Sequence, residues 1–264
     1  MSTPMNNSLP WPTGAEVLPL ASVRPVLDRL SSLVTTHEED AALIPGLAVT
    51  EEEVAADPPP ALEQIGDELG GVRVCGLTML TLQIEDRTDV GPYTLLGPAT
   101  SFYPLYETPE AAVVLALDED GAPGAVYGIG EDLALQLAAE DLPGYLERFA
   151  DALEIVLTAL ATRGPAADDS GTERAEAAQQ LMDEHLFAQI LGEGEAAPTV
   201  EVPLQDPASA GIEGLPEGTL AVADLRTAPV GARVDLIEVE VPGDPLETHV
   251  AWSARGRVVA VLGG

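Results

Sequence analysis

The chain's three histidines, His37, His185 and His249, are where a metal centre or a general base would begin, and their spacing supplies neither. His37-Glu38-Glu39 opens like a zinc-protease helix, but the second ligand, four residues on, would be Ala41. Asp118-x-Asp120-Gly121 opens like a calcium loop. An EF-hand needs Gly at its sixth position and a bidentate Glu at its twelfth, where this chain has Pro123 and Ile129. Gly128-Ile129-Gly130 runs into Glu131 and Asp132, which repel a pyrophosphate, and the third glycine of a dinucleotide loop is missing. A Walker loop needs a lysine, and the chain has none; Gly-x-Ser-x-Gly is also absent. Carboxylate pairs such as Glu38/Glu39, Glu131/Asp132 and Glu140/Asp141 are the raw material of glycoside hydrolysis. With 45 acidic residues such pairs arise by chance, and 4% aromatics leaves few sugar platforms. Cys75, the single cysteine, stands among Val74 and Leu77 and is expected as a small core residue. The expectation is a protein without catalysis, metal or cofactor.

Charge narrows the partners instead. The 45 acidic residues face 11 basic ones, all arginine, for a formal charge of −34. Nucleic acid and anionic membrane are poor partners, since neither finds the basic stripe that releases counterions from phosphates. A basic protein is the favoured partner, drawn in by long-range attraction. Arginine-for-lysine usage and plain solubility explain the same numbers without any partner. Met1–Ala15 carries no arginine and no apolar core of a signal segment, and no stretch reaches the length of a membrane span, so a cytoplasmic protein is expected.

The elements that would position any site follow from periodicity. Val23, Val26, Leu27, Leu30, Leu33 and Val34 predict a helix over 23–36, capped by Ser22. Ala61–Leu69 reads as a short helix stopped by Gly70-Gly71, followed by one or two strands over 72–84 and another over 91–96. The apolar run 111–117, the Asp118-Glu119-Asp120-Gly121 turn and the return strand 124–129 predict a hairpin. Asp141 caps the clearest helix, with Pro143 in its first turn and Leu146, Phe149, Leu153, Val156, Leu157 and Leu160 in one stripe, ended by Gly164-Pro165. Ser170-x-x-Glu173 has the form of a capping box opening a helix to about Leu191. Val200, Val202 and Leu204 alternate as an edge strand; 220–226 and 233–241 read as strands, and 249–253 with 257–262 as a hairpin.

This divides the chain into an N-terminal helix and linker (1–60), an α+β core (61–165) and a helix plus β-rich extension (166–264). The expected fold class is α+β, a mostly antiparallel sheet backed by helices with a C-terminal β-rich extension.

Residues 61–153 resemble the SUKH superfamily of bacterial immunity and adaptor proteins. The resemblance lies in the Gly70-Gly71 turn, the strand Val113-Val114-Leu115-Ala116-Leu117, an acidic Gly turn and the strand Gly124-Ala125-Val126-Tyr127. It continues into Leu137-Ala138-Ala139-Glu140-Asp141-Leu142-Pro143-Gly144-Tyr145-Leu146, which looks like that family's closing helix. Pro60-Ala61-Leu62-Glu63 departs from the family's Leu-Pro-x-x-aromatic opening. The resemblance implies a helix-backed antiparallel sheet and binding of a toxin domain, often a nuclease. An acidic protein suits such a partner, because nucleases that grip polyanions are basic. The candidate partner-binding residues are Asp118, Glu119, Asp120, Glu131 and Asp132, with Phe102, Tyr103 and Tyr106 as aromatic anchors; core or strand packing is the plainer reading of the tyrosines. The alternative is a structural, assembly or secretion-accessory scaffold that self-associates through a C-terminal strand such as 220–226.

Overall fold

The structure, a computed structural model, describes residues 16–49, 58–83, 96, 101–163, 171–192, 200–236 and 248–263. Its centre is a six-stranded sheet whose first four strands are buried on both faces. Strands β4 (Phe102–Glu107), β5 (Ala112–Leu117), β6 (Pro123–Ile129) and β7 (Ala134–Ala139) run antiparallel in sequence order. Two late strands extend that sheet: β10 (Ala232–Asp235) lies antiparallel to β7, and β8 (Val200–Glu201) lies parallel to β10 at the edge.

Burial on both faces explains why β5 and β7 show no polar alternation. Val113, Leu115 and Leu117 join one core with the helices, while Ala112, Val114 and Ala116 join a second core on the opposite face. The first core is closed by α1 (Leu20–Thr36), α3 (Leu142–Arg163), α4 (Thr172–Met182) and α5 (Ala188–Leu191), and by a small antiparallel sheet. That sheet is formed of β1 (Ala41–Pro45), β2 (Leu69–Val74) and β3 (Leu77–Thr81). A 3-10 turn (Pro60–Leu62) and the single-turn α2 (Glu63–Gly66) precede β2. The second core is closed by a three-stranded antiparallel sheet, β9 (Thr219–Asp224), β11 (Thr248–Ser253) and β12 (Val258–Gly263), through Ala223, Val250, Trp252 and Val259. A short helix, α6 (Pro207–Ala210), precedes β9.

The α+β class and the mostly antiparallel sheets agree with the sequence. The segments 1–60, 61–165 and 166–264 share their cores: α1, α3, α4 and α5 bury into one cluster, and β9, β11 and β12 cover the sheet made by β4 to β7.

Several elements fall where expected. Asp141 accepts from the Gly144 N–H at 2.8 Å as α3 begins, and all six stripe residues of α3 are fully buried. At ~2 kcal/mol per fully buried large aliphatic or aromatic side chain, that stripe anchors the helical layer. The β5–β6 and β11–β12 hairpins form around the expected turns.

Others differ. Helix α1 starts three residues early, at Leu20, and the Ser22 hydroxyl donates back to the Pro19 carbonyl at 2.6 Å instead of capping. Gly70 and Gly71 sit inside β2 and stop no helix; a Cβ on either would overlap the Pro45 or the Leu80 carbonyl of the neighbouring strands. Cys75 is half-buried, not a core residue. It occupies the β2–β3 turn at φ +48, where desolvation pushes its thiol up. Residues 137–139, which the family resemblance places in its closing helix, end strand β7, and the helix begins at Leu142, just after the expected Asp141 cap. The strand expected over 91–96, the Ser170 cap, the Gly164-Pro165 stop and the end of the 233–241 strand lie outside the described residues, except for buried Leu96.

Candidate functional site

The two acidic turns expected to share one face lie at opposite ends of the central sheet. β5 pairs with β6 from Leu117↔Pro123 to Ala112↔Ile129, so the Asp118–Gly121 turn caps one end and Gly130–Leu133 the other. Seven residues of β6 separate them, roughly 20 Å at strand rise. Within each turn one carboxylate is spent on the backbone. Asp118 Oδ1 accepts from the Asp120 and Ala122 N–H groups at 3.1 and 2.8 Å. Asp132 Oδ1 accepts from Ala134 N–H at 3.1 Å, while its Oδ2 takes Arg233 at 2.8 Å. Glu119, Asp120 and Glu131 are exposed. Two strand spacings from the first turn, the exposed Glu140 and Asp141 leave the same end of the sheet as β7 passes into α3.

Phe102, Tyr103 and Tyr106 are not surface anchors. Phe102 is buried in the second core and Tyr103 in the first, where its hydroxyl donates to the Leu82 carbonyl at 3.0 Å. Tyr106 stacks on Phe187 with ring centres 3.9 Å apart. Inward-facing positions of a strand covered on both sides leave no aromatic to offer a partner. His37, His185 and His249 sit on three separate elements, and among the described residues no group of three His, Cys, Asp or Glu side chains can hold a metal ion.

Three polar features escape the sequence. The first is the Asp40–Arg174 ion pair, in which the Arg174 Nε and one terminal nitrogen, the latter at 2.7 Å, grip the two carboxylate oxygens of buried Asp40.

The second is a polar seam between the helical layer and the sheet. Gly128 and Gln136 are register partners on β6 and β7, both beneath α5. The Gln136 side-chain N–H donates to the Gln189 carbonyl at 2.6 Å, and its buried oxygen has no partner. Arg148 donates to the Ala138 carbonyl, and burial lowers its pKa. The buried Tyr145 hydroxyl has no partner either. Gln179 donates to the Tyr106 hydroxyl at 3.0 Å and to Asp183 at 2.8 Å. There the backbone widens into a π turn over Asp183–Phe187, a form enriched at functional sites.

Desolvation raises the Asp183 carboxyl, against the lowering effect of the Gln179 hydrogen bond. The folded state therefore holds that proton more tightly than the unfolded chain, and Asp183 costs stability as pH rises from the unfolded into the folded titration range and above. Asp183→Asn keeps an acceptor for Gln179 and removes the charge, so its melting temperature at pH 7 should equal or exceed the parent's. The difference should vanish as pH falls below the carboxylate range.

The third feature is a corner between the two larger sheets, where Trp252 stacks on Tyr127 at 4.9 Å and Arg257 donates to the Ala228 carbonyl at 2.7 Å.

The arginines mostly face the chain's own acids. Arg24 meets Glu68 at 2.5 Å, Arg29 meets Asp151 and Glu154 at 2.7 Å each, Arg226 meets Asp224 at 2.7 Å, and Arg255 meets Glu16 at 3.1 Å. Glu119, Asp120, Glu131 and Glu140 have no ion-pair partner among the described residues.

The class this defines is a three-layer α+β protein with an acidic surface and buried polar seams. No family model, curated protein or solved structure matches the chain. Among the described residues, no helix is long and apolar enough to cross a membrane.

Proposed function

We propose that this chain is a non-catalytic acidic binding protein that docks a basic protein, as an immunity protein would neutralise a basic toxin such as a nuclease. The observation that carries the reading is charge: −34 overall, with most described arginines already held by the chain's own carboxylates. The favoured face is the end of the central sheet bearing Glu119, Asp120, Glu140 and Asp141, where two turns present carboxylates side by side on a rigid frame. Attraction of this kind acts mainly on the encounter rate and fades as salt rises.

The test is capture from the native lysate by the intact chain at low and high salt, followed by affinity measurement with the captured protein. Glu119→Lys/Glu140→Lys should weaken binding by about tenfold or more, while Glu110→Lys/Glu131→Lys, an equal change of charge at the opposite end, changes it little. Equal loss from both sets reduces the effect to net charge, and unchanged binding removes this face.

A second reading, a self-associating scaffold, is favoured by one observation. β11 is an edge strand of the C-terminal sheet, whereas β9, the edge expected from sequence, is flanked by β12 and by the Gln205–Val222 bridge. A concentration-independent monomer in sedimentation at both salts rules that reading out.

A further inference from the structure

Three layers meet at one end of the central sheet. The Asp118–Gly121 turn closes β5–β6 there, Ala139 pairs with Val126 just before Glu140 and Asp141 leave β7, and the β11–β12 tip lies on the first residues of β6. The Arg255 carbonyl accepts from the Ala125 N–H at 2.9 Å, and a Cβ on Gly124 would overlap that same oxygen. The backbone of the tip is therefore seated, and the Arg255 side chain leaves it for Glu16 Oε2 at 3.1 Å, 69% exposed. Glu16 lies in the stretch that enters α1, whose Leu18 packs on the first core, whereas Arg255 belongs to the layer on the opposite face of the sheet. β6 is an interior strand, so a contact between the two outer layers at this point passes over the end of the sheet. That places the guanidinium at the end bearing Glu119, Asp120, Glu140 and Asp141.

Neither the backbone nor the ion pair accounts for an arginine here. Ala254 and Arg255 hold φ of +51 and +56, a left-handed conformation that glycine adopts without a Cβ clash and that Gly256 continues. The Glu16 contact is single and joins two exposed side chains, a kind of pair that contributes little. Arg226, tied to the same tip through the Leu225 N–H and the Arg257 carbonyl, is by contrast clasped by both oxygens of Asp224. Arg255 is the cation that can exchange its partner. A chain at −34 attracts any cationic surface, and attraction alone does not discriminate. A cation set within the docking face repels a uniformly basic surface and favours one with a carboxylate at the facing point.

We infer that Arg255 sets the specificity of the acidic face, selecting a basic protein that presents a carboxylate opposite the guanidinium in place of Glu16. This rests on the docking role proposed above for that face.

The experiment measures the affinity of the full chain for the basic protein captured from the lysate and for deca-lysine amide, a polycation without carboxylates. Arg255→Glu makes the chain more acidic, so attraction by charge alone would tighten both complexes. With Arg255 as selector, deca-lysine amide should bind tighter and the captured protein about tenfold weaker. Glu16→Gln removes the internal competitor and should not weaken the captured protein. Unchanged or tighter binding of the captured protein to Arg255→Glu overturns the inference while the docking role stands. Equal weakening in Glu16→Gln overturns it too, since the pair would then be a structural tie, and so does equal weakening of both ligands in Arg255→Glu. Capture of no basic protein overturns the docking role itself, and the inference with it. Should Arg255→Glu not fold, Arg255→Gln takes its place with the same signs expected.

Discussion

Gly128→Ala should lower the melting temperature by roughly 6–12 °C, the equivalent of about 3 kcal/mol for a chain of this size. Gly128 lies next to the end of β6 on the helical face, and the backbone of α5 rests directly upon it. An added Cβ would overlap the Ile190 carbonyl oxygen and touch the Leu191 side chain at 3.3 Å. Neither neighbour can yield cheaply. The Gln136 side chain fixes the adjoining Gln189 carbonyl at 2.6 Å, and Ile190 is 1% exposed in the first core. A single methyl group must therefore lift a helix from a sheet or bend the sheet away from it. Gly76→Ala makes the contrast: its φ of +85 disfavours alanine, but no heavy atom lies within 4 Å of the new carbon, so the cost should stay near 1 kcal/mol. Melting followed by circular dichroism on both variants separates steric overlap from backbone strain. A Gly128→Ala protein that melts within two or three degrees of the parent, on the order of 1 kcal/mol, would mean that α5 does not seat on β6 as described.

Asp40→Ala should be the most damaging change to a polar residue, at about 3–5 kcal/mol, because it leaves the Arg174 guanidinium without its carboxylate in a setting only 19% exposed. The loss reaches four elements at once. Asp40 ends the exit from α1, its carbonyl accepts the Cys75 N–H at 2.6 Å in the β2–β3 turn, and Arg174 on α4 also reaches the Leu160 carbonyl of α3 at 3.3 Å. Arg174→Leu alone should also destabilise, by stranding Asp40, which is 7% exposed. The double variant Asp40→Ala/Arg174→Leu should be less damaged than the sum of the two, since neither ion remains without its partner. Chemical denaturation of the four proteins gives the coupling directly, and additive losses would show that the pair acts separately. Salt should matter little, in contrast to exposed pairs such as Arg24–Glu68.

What the sequence made legible was whatever one local period could state. The α3 stripe repeats at helical spacing, and the β5–β6 and β11–β12 hairpins carry their turn residues between apolar runs. Two strands of the six-stranded sheet, the edge strand β4 and the interior strand β7, were hidden for definite reasons. β4 contains Pro104, which argues against a strand, and the sheet accommodates it with a bulge between Pro104 and Tyr106. β7, with the sequence Ala-Leu-Gln-Leu-Ala-Ala, is covered on both faces and shows no alternation, so it reads equally well as the opening of a helix. The candidate face was half legible. The acidic turns are plain in the sequence, but which of them lie at the same end depends on the number of strands between them. The polar contacts were out of reach altogether: Gln136 meets Gln189 across 53 residues, and Asp40 meets Arg174 across 134.

The layer formed by β9, β11 and β12 bears on how the chain is made. Until residues beyond 219 have emerged from the ribosome, Ala112, Val114, Ala116 and Tyr127 have no cover on that side, and the edge of β7 awaits β10. The nascent protein thus carries an open apolar sheet through much of its synthesis, and completes it by contacts more than a hundred residues apart, such as Tyr127 with Gly256. Mutual repulsion among copies so rich in carboxylates keeps these half-built chains apart while they wait. The same charge that would draw a basic partner to the finished molecule thus also opposes association of its half-built copies.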